Sequence, residues 1–230
     1  MNVAIIAAAG QGTRMGGRRA KQFQELAGTP IIFHTLKPFE RCEVIQEIIV
    51  VLAAQESAGF LSLANKHGLR KLAKVVPGGT TRAESVWRGL QAVRPATAEI
   101  VAVHDGVRPF VTSDEISRTV EAAQREGAAI LVSTPADTIK QVEKGAVLGT
   151  LRRGDLRNAV TPQCFRYSLL RRAYEHVDLS DPDLTDESLL LERMGAKVAI
   201  VEGSSRNIKI TRPEDIRIGE ALLKEMNVEL

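Results

Sequence analysis

Six continuous apolar runs, each closed by turn-forming residues and separated by stretches of helical periodicity, constrain this chain more than anything else in it. They are VAIIAAA from Val3, EIIVVLAA from Glu47, KVVPGG from Lys74, EIVAVHD from Glu99, AAILVST from Ala128 and KVAIVEG from Lys197. A strand with one wet face alternates apolar and polar residues, whereas a run apolar at every position predicts a strand covered on both faces. The intervening segments carry helix-start signals. Thr112 with Glu115, and Thr211 with Glu214 ahead of IRIGEALLKEM, have capping-box spacing. This alternation predicts a Rossmann-like, mostly parallel α/β sheet. A chain of 230 residues, 44% of them hydrophobic, can close one core without a disulfide or metal, so a single domain over 1–230 is expected.

One segment breaks the rhythm. Between Asp137 and Phe165 no helical pattern appears, and TIKQVEKGAVLGTLR reads as two short strands around Lys144-Gly145, a hairpin signal. The expectation is a β-arm, 137–165, that leaves the main sheet. The apolar N-terminus lacks a basic leader and runs into a glycine-rich turn, which fits a buried first strand better than a signal peptide. No apolar run approaches the roughly 20 residues that cross a bilayer, so no membrane partner is expected. Cys42 and Cys164 lie far apart and outside metal-ligand spacing, as in a cytoplasmic protein with free thiols. Aromatic residues make up only 4%, too few for stacking platforms, and the basic charge is local, which argues against nucleic acid.

The chemistry concentrates where the first run ends, in AAAGQGTRMGGRRAKQF from Ala7 to Phe23. Small residues at Ala8, Ala9, Gly10 and Gly12 let a ligand approach the backbone, whose N–H groups can hold phosphate oxygens. Arg14 and Lys21 bring permanent positive charge to the same place. Gly10, Gly12 and Gly16 also imitate a dinucleotide fingerprint, but that reading wants an acidic residue ending the second strand. There the sequence reads LAAQ, with no carboxylate. A triphosphate suits the basic cluster better.

AAAGQGTRMG followed by KQF resembles the opening of the nucleotidyltransferases, and later blocks narrow the likeness. PGGTTRAESV from Pro77, VHDGVRPF from Val103, DTIK from Asp137, NAVTPQCF from Asn158, LTDES from Leu184 and NIKITRPED from Asn207 stand in order. Their order and spacing resemble the 2-C-methyl-D-erythritol 4-phosphate cytidylyltransferase family of the non-mevalonate isoprenoid pathway, over nearly the whole chain. One departure is Ala20, where the family usually has proline before the lysine.

The resemblance implies a nucleotide-diphosphosugar transferase type of fold and transfer of CMP from CTP to a small polyol phosphate, with release of pyrophosphate. The attacking phosphate monoester has a second pKa of about 6, so at neutral pH it is already a nucleophile without a base. The obstacle is repulsion between polyanions, which cations relieve. By resemblance, Arg14 and Lys21 stabilise the transition state, and Arg153 and Lys209 place the incoming phosphate. Arg152 adjoins Arg153, and the assignment between them stays open. The nucleotide side comprises Ala8, Ala9, Gly10, Gly12, Thr13, Gly78, Gly79, Ser85, Asp105 and Gly106. The substrate side comprises Asp105, Arg108, Thr138, Arg153, Thr161, Thr185 and Lys209. Mg²⁺ or another divalent cation is expected to be held mainly by the CTP phosphates, and the 137–165 arm to join two copies as a homodimer. The bland alternatives are solvated surface cations for the Arg and Lys residues and turn chemistry for the glycines. A sister enzyme using another polyol phosphate, such as ribitol 5-phosphate, and a non-catalytic nicotinamide-binding module remain rivals. DTIK and LTDES, which in the family serve the substrate side, favour the first reading.

Overall fold

The computed structural model describes residues 1–10 and 20–228. The chain runs β1 (Asn2–Ala8), β2 (Glu25–Leu26), β3 (Thr29–Pro30), α1 (Ile31–Arg41), β4 (Glu47–Leu52), α2 (Ala54–Lys66), β5 (Leu72–Pro77), α3 (Arg82–Gln91) and β6 (Ile100–Asp105). It continues with α4 (Ser113–Glu126), β7 (Ala128–Ser133), β8 (Lys140–Glu143), β9 (Ala146–Thr150), β10 (Asn158–Arg166), α5 (Tyr167–Glu175), α6 (Glu187–Arg193), β11 (Ala199–Glu202) and α7 (Pro213–Val228). A seven-stranded sheet has the order β11-β7-β10-β6-β1-β4-β5. Its pairs are parallel except those of β10, which lies antiparallel between β6 and β7.

Four of the six apolar runs, those of β1, β4, β6 and β7, have the physical cause expected of them, whereas the runs that form the edge strands β5 and β11 stay partly exposed, Ile200 at 56%. Successive strand residues point to opposite faces, and both faces are covered. Ile6, Ile48 and Val50 pack with Phe33 and Leu36 of α1 and Val120 of α4, while Ile5, Ile49 and Val51 pack with Val86 and Leu90 of α3 and Leu170 of α5. Each such fully buried side chain contributes on the order of 1.5–3 kcal/mol, so the sheet is the part of the molecule least able to move.

The capping box at α4 forms: Thr112 accepts from the Glu115 N–H, and the Glu115 carboxylate accepts from the Thr112 N–H. The one expected between Thr211 and Glu214 does not. The helix starts at Pro213, whose missing N–H costs nothing in a first turn, so the acid one turn in is Asp215. Its Oδ2 accepts from the N–H groups of Thr211 (2.7 Å) and Arg212 (2.8 Å).

The segment expected as one arm divides. β8 and β9 form a separate two-stranded sheet, joined at Lys144 and Gly145 with φ of 49° and 83°, the left-handed pair that a two-residue hairpin turn needs. From Asn158 onward the chain has returned to the main sheet as β10. Among the described residues no helix is long and apolar enough to cross a membrane.

Candidate active site

Leaving β1, the sheet is built outward one way through β4 and β5 and the other way through β6. Open α/β sheets bind ligands at the carboxyl ends of strands where the order reverses. A cleft of about 720 Å³ lies there. Among its lining residues are Ala8, Ala9 and Gly10 at the end of β1 and just beyond it, Gly78, Gly79 and Ser85 between β5 and the first turns of α3, Asp105 at the end of β6, and Lys21 and Lys209. These nine come from five separate stretches of sequence.

The small residues are there for more than a ligand. A Cβ on Gly78 would stand 2.2 Å from the Ala9 Cβ, and one on Gly106 would stand 2.6 Å from the Ala8 Cβ. Glycine at these points lets the strand ends come together and form the floor. The Gly79 N–H donates to Ser85 Oγ (3.0 Å), and Ser85 Oγ donates to the Thr81 carbonyl (2.9 Å). Arg88 donates to the Gly78 carbonyl (2.7 Å), so the glycine pair is tied into the first turns of α3. Lys21 opens a short 3-10 turn, Lys21–Phe23, that is held by Phe23 packed edge-on against Phe60 of α2.

Asp105 is the electrostatic centre. Its side chain is 9% exposed, Arg82 Nε lies 3.1 Å from Oδ1, and Arg108 Nε (3.3 Å) and Lys209 Nζ (2.9 Å) lie by Oδ2. Burial alone would raise the carboxyl's pKa. The charges of Arg82, Lys209 and Arg108 outweigh it and hold Asp105 well below the usual carboxylate range. One anion thus gathers three cations beside the cleft. Among the described residues no group of three or more His, Cys, Asp or Glu side chains could hold a metal, and both Asp105 oxygens are already engaged.

The remaining expected residues fall in three places. Arg108 and Thr161 stand behind Asp105, the Asp105 N–H donating to Thr161 Oγ1 (3.2 Å), while Gly106 packs on Ala8. Thr138, Arg153 and Thr185 are exposed and do not line this cleft in a single chain. Arg153 instead donates to the Ala136 carbonyl (2.9 Å) beside the hairpin. Gly12, Thr13 and Arg14 lie outside the described residues. Sequence reasoning passed over Arg82 and Arg88, both at the cleft. The available signal was their place: Arg82 opens the helix directly after the glycine pair.

An open α/β sheet with a cation-lined cleft at its switch point is the frame of a nucleotide-handling enzyme, here of the nucleotidyltransferase class. The family model of 2-C-methyl-D-erythritol 4-phosphate cytidylyltransferase matches residues 2–225. The chain is 41% identical to the enzyme of that name from Clostridium botulinum, covering 98% of each. It is 43% identical to the one from Bacillus cytotoxicus, over 97% of this chain and 98% of that one. A crystal structure of 4-diphosphocytidyl-2C-methyl-D-erythritol synthase from Anaerococcus prevotii superimposes with a TM-score of 0.85 at 33% identity, covering 97% of this chain and 98% of that one. The chain belongs to the 2-C-methyl-D-erythritol 4-phosphate cytidylyltransferase family.

Proposed function

We propose that the protein transfers CMP from CTP to 2-C-methyl-D-erythritol 4-phosphate. A phosphate oxygen of the polyol phosphate bonds to the α-phosphorus of CTP, the bond from that phosphorus to the bridging oxygen breaks, and pyrophosphate leaves. The observation that carries this reading is the set of cations gathered on Asp105 at the switch-point cleft, in a chain of this family. Lys21 and Arg14 serve the charge that builds on the pentavalent phosphorus and on pyrophosphate. Lys209, Arg108 and Arg153 orient the incoming phosphate, with Thr138, Thr161 and Thr185 on the same side. Ala8, Ala9, Gly10, Gly12, Thr13, Gly78, Gly79, Ser85 and Gly106 form the nucleotide wall.

Because Asp105 is occupied by cations, the divalent ion enters with the substrate, as CTP complexed to Mg²⁺. Two buried free thiols, Cys42 and Cys164, suit the reducing cytoplasm. The test is pyrophosphate release from CTP with each candidate phosphate. Turnover with 2-C-methyl-D-erythritol 4-phosphate, abolished by EDTA and restored by Mg²⁺, is expected. Preference for ribitol 5-phosphate would move the assignment to a sister enzyme, and stabilisation by NADP but not by CTP would overturn it.

The working unit is a homodimer. Val142, Val147 and Leu148 on the hairpin are 64%, 62% and 58% exposed, an apolar surface that a two-stranded sheet cannot cover by itself. A second copy seated there would carry Arg153 and Thr138 into its partner's cleft. Mixing subunits of two inactive variants, Lys21→Ala and Arg153→Ala, decides it. Half the dimers are mixed and half their sites are intact, so roughly a quarter of wild-type activity returns if the arm works in trans. With heterodimers confirmed and no activity recovered, Arg153 acts on its own chain or not at all.

A further inference from the structure

Behind Asp105 four residues from three separate segments close a ring of hydrogen bonds. Thr161 Oγ1 of β10 meets His104 Nδ1 of β6 at 2.9 Å. His104 Nε2 meets the Arg108 carbonyl at 3.0 Å. Arg108 Nη1 donates to the Asn207 carbonyl at 2.9 Å, and Asn207 Nδ2 donates back to the Thr161 carbonyl at 2.9 Å. His104, Thr161 and Asn207 are 0%, 4% and 2% exposed.

The directions of these bonds follow from the chemistry. A carbonyl only accepts, so His104 Nε2 carries the proton donated to Arg108. Burial lowers the imidazole's pKa to about 4, so the ring is neutral and Nδ1 accepts. The Thr161 hydroxyl therefore spends its proton on His104 while accepting from the Asp105 N–H. Its proton is committed to His104, so Thr161 serves the substrate side by holding the Asp105 main chain and not by donating to the phosphate.

We propose that His104 and Asn207 are positioning residues for the phosphate side of this site, acting through Arg108, Thr161 and the main chain at Asp105. The ring fixes what the cleft displays. Arg108 is held at both ends, its carbonyl by His104 and its guanidinium by the Asn207 carbonyl and Asp105. Lys209 follows Asn207 by two residues and is pinned from the other side, the Ile210 N–H donating to the Val107 carbonyl (2.9 Å). Phe39, whose ring centroid lies 4.9 Å from that of the imidazole, packs on the apolar side of His104. An apolar residue would fill that space in the core as well and orient nothing.

The inference rests on reading the cleft as the site for CTP and the polyol phosphate, and the experiment keeps the two failures apart. Steady-state kinetics are measured for wild type, His104→Asn, His104→Gln and Asn207→Ala, with thermal melting as the control for folding. Asparagine keeps an acceptor near the Nδ1 position and loses the donor to Arg108. Glutamine keeps a donor near Nε2. For His104→Asn and Asn207→Ala, KM for the polyol phosphate should rise about five- to tenfold, the factor that goes with one ordinary hydrogen bond. KM for CTP should stay within about twofold, because most of its proposed wall, Ala8 to Gly10, Gly78, Gly79 and Ser85, lies outside the ring. His104→Gln should recover the larger part of the loss. A merely structural role would lower the fraction of active enzyme and leave both KM values alone. That result, an equal rise in both KM values, or failure of every variant to fold would overturn the proposal. If wild type turns over no polyol phosphate, the reading of the cleft fails and this role with it.

Discussion

Lys21→Ala lowers kcat by roughly 10²–10³, the loss that goes with removing one preorganised charge contact to a transition state. The residue stands on a single 3-10 turn at the rim of the cleft, and that turn is anchored by its neighbours. Gln22 is 1% exposed and Phe23 packs against Phe60. Removing the ammonium group therefore leaves the anchoring contacts in place, and the melting temperature should hardly move. The polyanionic reaction needs charge at the phosphorus most when the fifth oxygen arrives, so kcat should fall further than the KM for CTP rises. Lys21→Arg should recover only part of the rate, since a planar guanidinium presents its charge in a different geometry. Saturating both substrates and measuring pyrophosphate release checks this. Near-normal turnover in Lys21→Ala would take Lys21 out of the mechanism.

The fold was legible in the sequence wherever one physical cause acted alone. Ile5 and Ile6 are adjacent in a strand and point to opposite faces, so their full burial requires cover on both sides of the sheet, and that pattern survives in the letters. Lys144-Gly145 announced its hairpin because a two-residue turn demands left-handed backbone. β10 was not legible as a strand, for two reasons. It carries Asn158, Thr161, Pro162 and Gln163, and its buried polar side chains bond to other segments of the chain instead of alternating with apolar ones. Gln163 Oε1, for instance, accepts from the N–H groups of Glu187 (3.0 Å) and Ser188 (3.1 Å) at the start of α6. The same principle explains which site residues could be read. Lys21 and Lys209 were recognisable because their motifs surround them. Arg82 was not, because its meaning lies in a carboxylate 105 residues away. Thr138 and Arg153 were assigned by resemblance to a site that a single chain does not bring them to, which is why the dimer carries so much of the proposed function.

Arg82 is the member of this set whose removal should cost the fold most, and its two roles can be separated. Its Nη1 and Nη2 grip both oxygens of Glu187 (2.7 and 3.0 Å), and its Nε holds Asp105. The Glu187 side chain is only 1% exposed, with Tyr174 Oη (3.0 Å) as its further side-chain donor. Burial works against the Arg82 charge, and Glu187 and Asp105 more than compensate, raising its pKa above the ordinary arginine value. Arg82→Met keeps much of the side-chain volume and strands the Glu187 charge in the interior. The expected loss is about 3 kcal/mol, the low end for breaking a buried pair, because Arg82 itself keeps 26% of its side chain exposed. Adding Glu187→Gln removes the stranded charge and leaves Tyr174 a partner, so the double variant should regain most of that stability in urea unfolding. It should not regain activity. Asp105 would still lack its Oδ1 partner, and kcat/KM should stay about tenfold down in single and double variants alike, the cost of one lost charged hydrogen bond. Stability and activity returning together would show that Arg82 reaches the site only through Glu187. No recovery of either would show that the Arg82–Glu187 pair does not hold this corner of the fold.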